Sequence, residues 1–109
     1  MIIDYPYEDL KIFPNFKGGE KELQAKMFSD GRNRILKATL APGASIGLHK
    51  HDTSSEIMYF LSGKGKVLID GREEWVSADK CHYCPKGSQH SLINTGEEDL
   101  NFFAVVPEQ

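Results

Sequence analysis

From Glu20 onward the sequence consists of short runs rich in branched and aromatic residues, separated by glycine, proline and polar clusters. This rhythm predicts consecutive β-strands, because such runs suit a pleated, half-buried surface and such clusters suit turns. No stretch has the apolar periodicity of an amphipathic helix. The predicted strands are approximately residues 21–28, 35–40, 46–51, 56–61, 66–69, 73–76, 81–84, 90–93 and 100–106. We therefore expect an all-β barrel or sandwich.

One turn between these runs is well defined by its residues. Residues 67–69 and 74–76 flank Asp70-Gly71, a pair that tolerates the positive φ angles of a two-residue hairpin loop. The sequence therefore predicts an antiparallel hairpin at this point.

The first 19 residues differ in character from the rest, and we treat them as an amino-terminal arm before a barrel domain of residues 20–109. Gly18-Gly19 separates the arm from the first predicted strand. The arm could form a cover strand, a loop over the barrel or a partner-binding segment. Alternatively, its aromatic residues could simply pack on the outside of the barrel. Those aromatic residues are Tyr5, Tyr7, Phe13 and Phe16.

Size and charge exclude several function classes. A chain of 109 residues has room for one domain. With 13 basic and 16 acidic side chains, its formal net charge of -3 offers no basic surface for nucleic acid. The amino terminus lacks the pattern of a signal peptide, and no apolar run is long enough to cross a bilayer. We expect a cytoplasmic protein with no membrane or nucleic-acid partner.

The two cysteines, Cys81 and Cys84, have C-x-x-C spacing. Such a redox pair normally lies at the start of a helix, where the thiol pKa is lowered, whereas these residues lie in a predicted strand. Residues three apart on a strand face opposite sides, so the two thiols should point away from each other. The sequence favours two buried structural cysteines without a disulfide.

The pattern G-x5-H-x-H-x4-E-x6-G runs from Gly43 to Gly63. His49 and His51 project to one face of a strand because side chains alternate, so both imidazoles can reach one point. A short turn over residues 52–55 lets the chain reverse and brings Glu56 beside them. One hairpin thus places three groups of the kind that bind metals.

A second stretch supplies a fourth such group, His90, at the start of a later strand. The spacing P-x-G-x2-H-x3-N is formed by Pro85, Gly87, His90 and Asn94. Together the two stretches resemble the two conserved-barrel motifs of the cupin superfamily, in its small single-domain (cupin 2) form. The resemblance implies a jelly-roll barrel, also called a double-stranded β-helix, with one metal ion inside.

The ligands that the resemblance implies are His49, His51, Glu56 and His90, hereafter the ligand set. Asp79 stands where the second motif usually has glycine, six residues before Pro85, which affects a turn and no ligand. Three imidazoles and one carboxylate suit a divalent iron, manganese, nickel, zinc or copper ion, and no thiolate is expected. Two positions would remain open on an octahedral ion for water, substrate or dioxygen.

Alternation also predicts which side chains surround the ion. Met58 and Phe60 share the face of Glu56, and Leu92 shares that of His90, which indicates an apolar pocket. Ordinary barrel core explains these three residues equally well. His82 is interpreted as a pocket or structural residue and not as a fifth ligand.

Three functions remain open at this stage. The first is a metal-dependent enzyme acting on a small organic molecule, a dioxygenase, isomerase or lyase, in which Glu56 is the catalytic base. The second is a non-catalytic module that binds or senses a small molecule. The third is a barrel whose metal site is vestigial and whose function is to associate with a partner protein. We also expect a homodimer, with the arm from Tyr5 to Phe16 covering a sheet edge of its neighbour.

Overall fold

In a computed structural model that describes all 109 residues, the chain forms ten β-strands and two short 3-10 helices. The helices are Tyr5–Tyr7 and Phe16–Gly18. The strands are β1 Lys11–Pro14, β2 Glu22–Ser29, β3 Asn33–Leu40, β4 Ser45–Lys50, β5 Glu56–Ser62, β6 Lys64–Ile69, β7 Arg72–Ser77, β8 Cys81–Cys84, β9 Gln89–Asn94 and β10 Leu100–Pro107.

The strands form two antiparallel sheets. The larger has six strands in the order β1-β2-β3-β10-β5-β8, and the smaller has four in the order β4-β9-β6-β7. The two sheets enclose one hydrophobic core of 17 buried residues. The expectation of an all-β jelly-roll barrel is therefore confirmed.

The core is built by strict alternation, which β10 shows best. Leu100, Phe102, Ala104 and Val106 point inward and are buried, while the residues between them are only partly covered. Burying a side chain as large as Phe102 contributes about 1.5–3 kcal/mol. Because β10 pairs with both β3 and β5, its inward residues join the two halves of the larger sheet.

The predicted hairpin is present between β6 and β7, where Ile69 pairs with Arg72 across the turn. Asp70 and Gly71 have φ angles of 47° and 81°. Both central residues thus adopt the left-handed conformation that this tight turn requires. The pair Asp-Gly was an adequate signal for it.

All nine predicted runs are strands, and the one further strand is β1, in the arm for which a cover strand was one of the alternatives. This strand has four residues, ends at Pro14 and pairs only with β2, where Lys11 faces Ala25. Proline cannot donate to a β-ladder, so it is tolerated at an edge but weakens any prediction of a strand. The arm therefore adds an edge strand to the larger sheet, and its Phe13 and Phe16 pack against the core.

The arm also rests directly on β4 through two glycines. A Cβ atom on Gly47 would lie 2.0 Å from the carbonyl oxygen of Lys17, and one on Gly19 would lie 2.1 Å from that of Ser45. No side chain fits at either position. Backbone bonds reinforce the contact, since the Ser45 amide donates to the Glu20 carbonyl at 3.0 Å. The arm and the start of β4 thus form one packed unit.

The two cysteines do face opposite sides of β8, but the prediction that both are buried is wrong. Cys84 points into the core, whereas Cys81 is exposed. The reason is that β8 is an edge strand of the larger sheet and its outer face has no covering layer. Burial, together with the charges of Glu56 and Asp70, raises the pKa of the Cys84 thiol to about 11. It is therefore an unreactive core residue.

Neither of the two short helices has the length and apolar character needed to cross a bilayer.

Candidate metal centre

His49 lies near the end of β4, with its ring fixed by the adjacent backbone. Its Nδ1 donates to the carbonyl oxygen of Gly47 at 2.7 Å. A carbonyl can only accept, so the ring proton resides on Nδ1 and the lone pair on Nε2 is free to bind a metal. Burial lowers the pKa of His49, which favours this neutral form. A backbone carbonyl of the same strand therefore fixes the His49 ring in the tautomer that can bind a metal.

His51 lies one residue beyond β4 and is tied to the turn between β8 and β9. Its amide donates to the Ser88 carbonyl at 3.0 Å, and its carbonyl accepts from the Gly87 amide at 2.7 Å. Its Nδ1 lies 2.9 Å from the Ser54 hydroxyl, which leaves Nε2 facing the interior. These contacts hold His51 across from His90.

Glu56 is the first residue of β5, and its side chain is buried among the histidines. Its Oε1 lies 3.2 Å from His51 Nε2 and 3.0 Å from His90 Nε2. Burial alone would raise the pKa of this carboxyl, but the hydrogen bonds from both histidines outweigh it and lower the pKa to about 2. Glu56 is thus an ionised carboxylate inside the barrel.

His90 completes the group from the opposite strand. It pairs directly with His49 across β4 and β9, and its Nε2 lies 3.0 Å from His51 Nε2. One potential ligand atom from each member of the ligand set lies within 4.8 Å of the others. The structure therefore brings together all four residues that the sequence had indicated.

This donor set fits a divalent transition-metal ion. The Nδ1 atom of each of the three histidines has a hydrogen-bond partner, namely Gly47, Ser54 or His82, which leaves the Nε2 atoms to converge with the carboxylate. Metal-bound histidines characteristically use their second nitrogen in this way. Three imidazoles and one carboxylate do not select among the metals of this class.

Two residues of the second motif affect the backbone conformation and do not belong to the ligand set. The side-chain amide of the buried Asn94 donates to the carbonyls of Leu40 and Glu98, each at 2.8 Å. Asp79, where the motif usually has glycine, adopts a φ of 70°. This left-handed angle explains the preference for glycine, and aspartate is among the residues that tolerate it.

A cavity of about 530 Å³ opens beside the site, and His49, His51 and Glu56 contribute to its wall. Its apolar lining comprises Phe13, Phe16, Leu23, Met27, Leu36, Ile46, Phe102 and Val106. Three basic side chains, Lys17, Arg34 and Lys50, also line it. The cavity therefore combines apolar walls with positive charge beside the ligand set.

The four residues predicted to form the pocket do not line this cavity. Met58, Phe60 and Leu92 are fully packed within the core, and His82 lies on the far side of His90. Alternation identifies the inward face of a strand, but it does not tell whether the space there is filled by neighbouring side chains. Met58, Phe60 and Leu92 belong to the hydrophobic core, and only His82 contacts a member of the ligand set, His90.

Most of the residues that line the cavity could not be identified from the sequence. Arg34 precedes the inward-facing Leu36 by two residues on β3, so alternation could have found it. Phe13, Phe16 and Lys17 belong to the arm, whose docking depends on glycine contacts that no local pattern reveals.

Together, a jelly-roll barrel and an internal cluster of three imidazoles and one carboxylate define a barrel protein with a candidate transition-metal site. The family model described as the cupin domain matches residues 36–106. The chain belongs to the cupin family, as its two motifs had indicated.

Comparison with individual proteins supports the same assignment. The chain is 35% identical over 98 residues to an oxalate-binding protein of Thermotoga maritima, covering 84% of this chain and 81% of that protein. It is 28% identical over 101 residues to an uncharacterized protein of Methanocaldococcus jannaschii, covering 91% and 81%. A solved structure described as a predicted oxalate decarboxylase from Thermotoga maritima has a TM-score of 0.92 and 30% identity, with full coverage of both chains. The cupin domain of Schizosaccharomyces pombe Cnp3, at a TM-score of 0.81 and 14% identity, shares the fold over all of this chain and 74% of its own.

Proposed function

We propose that the protein binds one divalent transition-metal ion on the ligand set and uses it to capture a small dicarboxylate such as oxalate. The observation that carries this proposal is the convergence of four donor atoms within 4.8 Å at the wall of a cavity that also presents basic side chains. A bound ion would supply Lewis-acid charge and open coordination positions for the oxygen atoms of the ligand.

Charge favours an anionic ligand. The only carboxylate of the ligand set is Glu56, which neutralises half of the charge of a divalent ion. Lys17, Arg34 and Lys50 add positive charge along the cavity wall, partly offset by Asp52, which lies 3.7 Å from Lys50. With a divalent ion bound, positive charge would predominate around the cavity and favour an anion.

The relatives point to the same ligand class. An oxalate-binding protein and a predicted oxalate decarboxylase, both from Thermotoga maritima, are similar to this chain over most of its length. Oxalate has two adjacent carboxylates that can occupy two neighbouring positions on one ion. The cavity of about 530 Å³ is more than large enough for it, so larger dicarboxylates are part of the test.

Calorimetric titration of the Co²⁺-loaded protein tests this function, with the cobalt absorption spectrum as a second readout. We expect oxalate to bind at least about tenfold more tightly than acetate, a difference of about 1.4 kcal/mol, and to change the spectrum. The metal-free protein should lose this preference. Titration with the larger dicarboxylates malonate and succinate measures the size of ligand that the site accepts.

A matched pair of variants checks the charge argument. Arg34→Gln removes a basic group from the cavity wall and should weaken oxalate binding, whereas Arg32→Gln alters an exposed arginine that does not line the cavity. If the parent shows neither heat nor a spectral change with any dicarboxylate, the proposed ligand class is wrong.

Catalysis is the second candidate, in the form of a metal-dependent dioxygenase, isomerase or lyase. Glu56 lines the cavity and is ionised, so it can accept a proton once its contacts with His51 and His90, which lower its pKa and its basicity, are released. The alternative to catalysis is a binding or sensing module, which captures a small molecule without converting it. Substitution of Glu56 separates these two functions.

We also propose a homodimer formed through the outer face of the larger sheet. Ile57, Tyr59 and Leu61 alternate along β5 on this face and are exposed, and Tyr83 on β8 lies beside Ile57. A contiguous apolar patch of this kind commonly marks an interface. The arm pairs with β2 of its own chain, so this face is a better candidate than a sheet edge covered by the arm.

Light scattering at micromolar concentration should give the mass of a dimer, because burial of this patch removes apolar surface from water. Ile57→Lys should shift the mass toward that of the monomer. Leu48→Lys is the control, since it replaces an exposed aliphatic side chain by lysine on the smaller sheet. A monomeric parent protein would contradict the proposal.

A further inference from the structure

Three side chains form a hydrogen-bonded row that leads from the protein surface to the ligand set. Glu74 Oε1 lies 3.0 Å from His82 Nδ1, and His82 Nε2 lies 3.0 Å from His90 Nδ1. His82 is buried, whereas 46% of the Glu74 side chain is exposed. The row approaches His90 from the side opposite its Nε2 atom, which faces His51 and Glu56.

The row also connects the two sheets. Glu74 lies on β7, an edge strand of the smaller sheet, and His82 lies on β8, an edge strand of the larger one. His90 belongs to β9, within the smaller sheet. The contacts therefore depend on closure of the barrel, and no spacing along the sequence predicts them.

Hydrogen-bond chemistry fixes the direction of every bond in the row once Nε2 of His90 serves as a ligand. In that state the neutral ring carries its proton on Nδ1 and donates it to His82 Nε2. His82 then carries its own proton on Nδ1, where the Glu74 carboxylate, which can only accept, receives it. One set of neutral tautomers satisfies all of these groups.

We propose that His82 and Glu74 are positioning residues that fix the tautomer and ring orientation of His90, so that its Nε2 is prepared for the metal. The proposal rests on the metal site of the proposed function, but it is independent of the ligand captured there. The other two histidines of the ligand set have their Nδ1 partners within three residues of themselves, Gly47 and Ser54. His90 alone takes its partner from another strand and, through it, from a surface carboxylate.

The alternative is that His82 merely fills space beneath His90. The two roles make different demands on the side chain at this position. A space-filling role requires size alone, whereas a positioning role requires an acceptor for the His90 Nδ1 proton. Substitutions that separate size from hydrogen bonding therefore decide between them.

Affinity for Zn²⁺, measured by competition with a chromophoric chelator, is the first readout. His82→Phe keeps an aromatic ring without an acceptor and should weaken zinc binding by about 10–100-fold, the usual cost of losing such a partner. His82→Gln retains an acceptor oxygen and should recover much of this loss. Glu74→Ala should weaken binding by a smaller factor, while Glu73→Ala, the exposed neighbour on β7, should leave it within about twofold of the parent.

Nitrogen NMR of the zinc-loaded protein is the second readout, because the ¹⁵N shifts of an imidazole identify which nitrogen is protonated. We expect the proton on Nδ1 in both His82 and His90, and a mixture of His82 tautomers in Glu74→Ala. Thermal unfolding of each variant monitors the fold. The Glu74 carboxylate is partly exposed, so its substitution keeps the test decisive even where His82→Phe fails to fold.

Two results would overturn the proposal: unchanged zinc affinity in Glu74→Ala and in every folded His82 variant, or an Nε2-protonated His82 in the zinc-loaded parent. In either case the metal site itself would stand, because the parent would still bind zinc. A parent without zinc affinity would instead remove the metal site and this inference together. Oxalate binding has no part in these outcomes.

Discussion

Replacing His51 by alanine is expected to remove most of the metal that the protein carries after purification. His51 Nε2 lies 3.0 Å from His90 Nε2 and 3.2 Å from Glu56 Oε1, so it contacts two other members of the ligand set directly. Loss of a hydrogen-bond partner behind a ligand already weakens metal binding by about 10–100-fold, and loss of the ligand itself should exceed that range. Elemental analysis of parent and variant, purified without added metal, measures the effect.

Leu48→Ala is the matched control for this experiment. Leu48 lies on β4, three residues before His51, and its side chain is exposed, so its substitution should leave the metal content unchanged. We expect about one divalent ion per chain in both the parent and this control. Full occupancy in His51→Ala would show that the ligand assignment is wrong.

A second large effect is expected from Glu56→Gln, which keeps the size of the side chain and one ligand oxygen but removes its negative charge. The variant should retain metal with reduced affinity, and the ion should keep more of its positive charge. Oxalate should then bind at least as well as in the parent, whereas any turnover should fall by about 10²–10⁴-fold through loss of the proton acceptor. Metal content, oxalate titration and release of formate or carbon dioxide from oxalate measure the three quantities.

The combination of results assigns the function of Glu56. Retained metal with lost turnover would support the enzyme, and full turnover would make Glu56 a structural ligand only. Tight oxalate binding without product in either protein would identify a binding module. If no small molecule changes the metal spectrum of the parent, catalysis should be abandoned in favour of association with a partner protein.

The ligand set could be predicted from the sequence because its geometry is mostly local. His49 and His51 share a face of the predicted strand through its two-residue period, and Glu56 follows after one short turn. His90 is the long-range member, and only its resemblance to a known motif placed it beside the others. The structure brings it opposite His49 through the pairing of β4 with β9.

The surroundings of the site could not be predicted because they depend on how the sheets close. Alternation correctly turned Met58 and Phe60 inward, yet they are packed in the core and the cavity is lined partly by the arm. The role of His82 likewise depends on β7 and β8 meeting at the edges of different sheets. Contacts between segments that meet only when the sheets close produce no periodic pattern in the sequence.

The position of β10 has a consequence for the order in which the fold can be completed. It is the last strand along the chain, yet it lies in the middle of the larger sheet, between β3 and β5. During synthesis, β3 and β5 are made well before the strand that joins them, and their edges stay unpaired until it arrives. Contacts between such distant segments slow folding and expose edges to misassociation. A nascent chain therefore holds all four members of the ligand set before the barrel that brings them together can close.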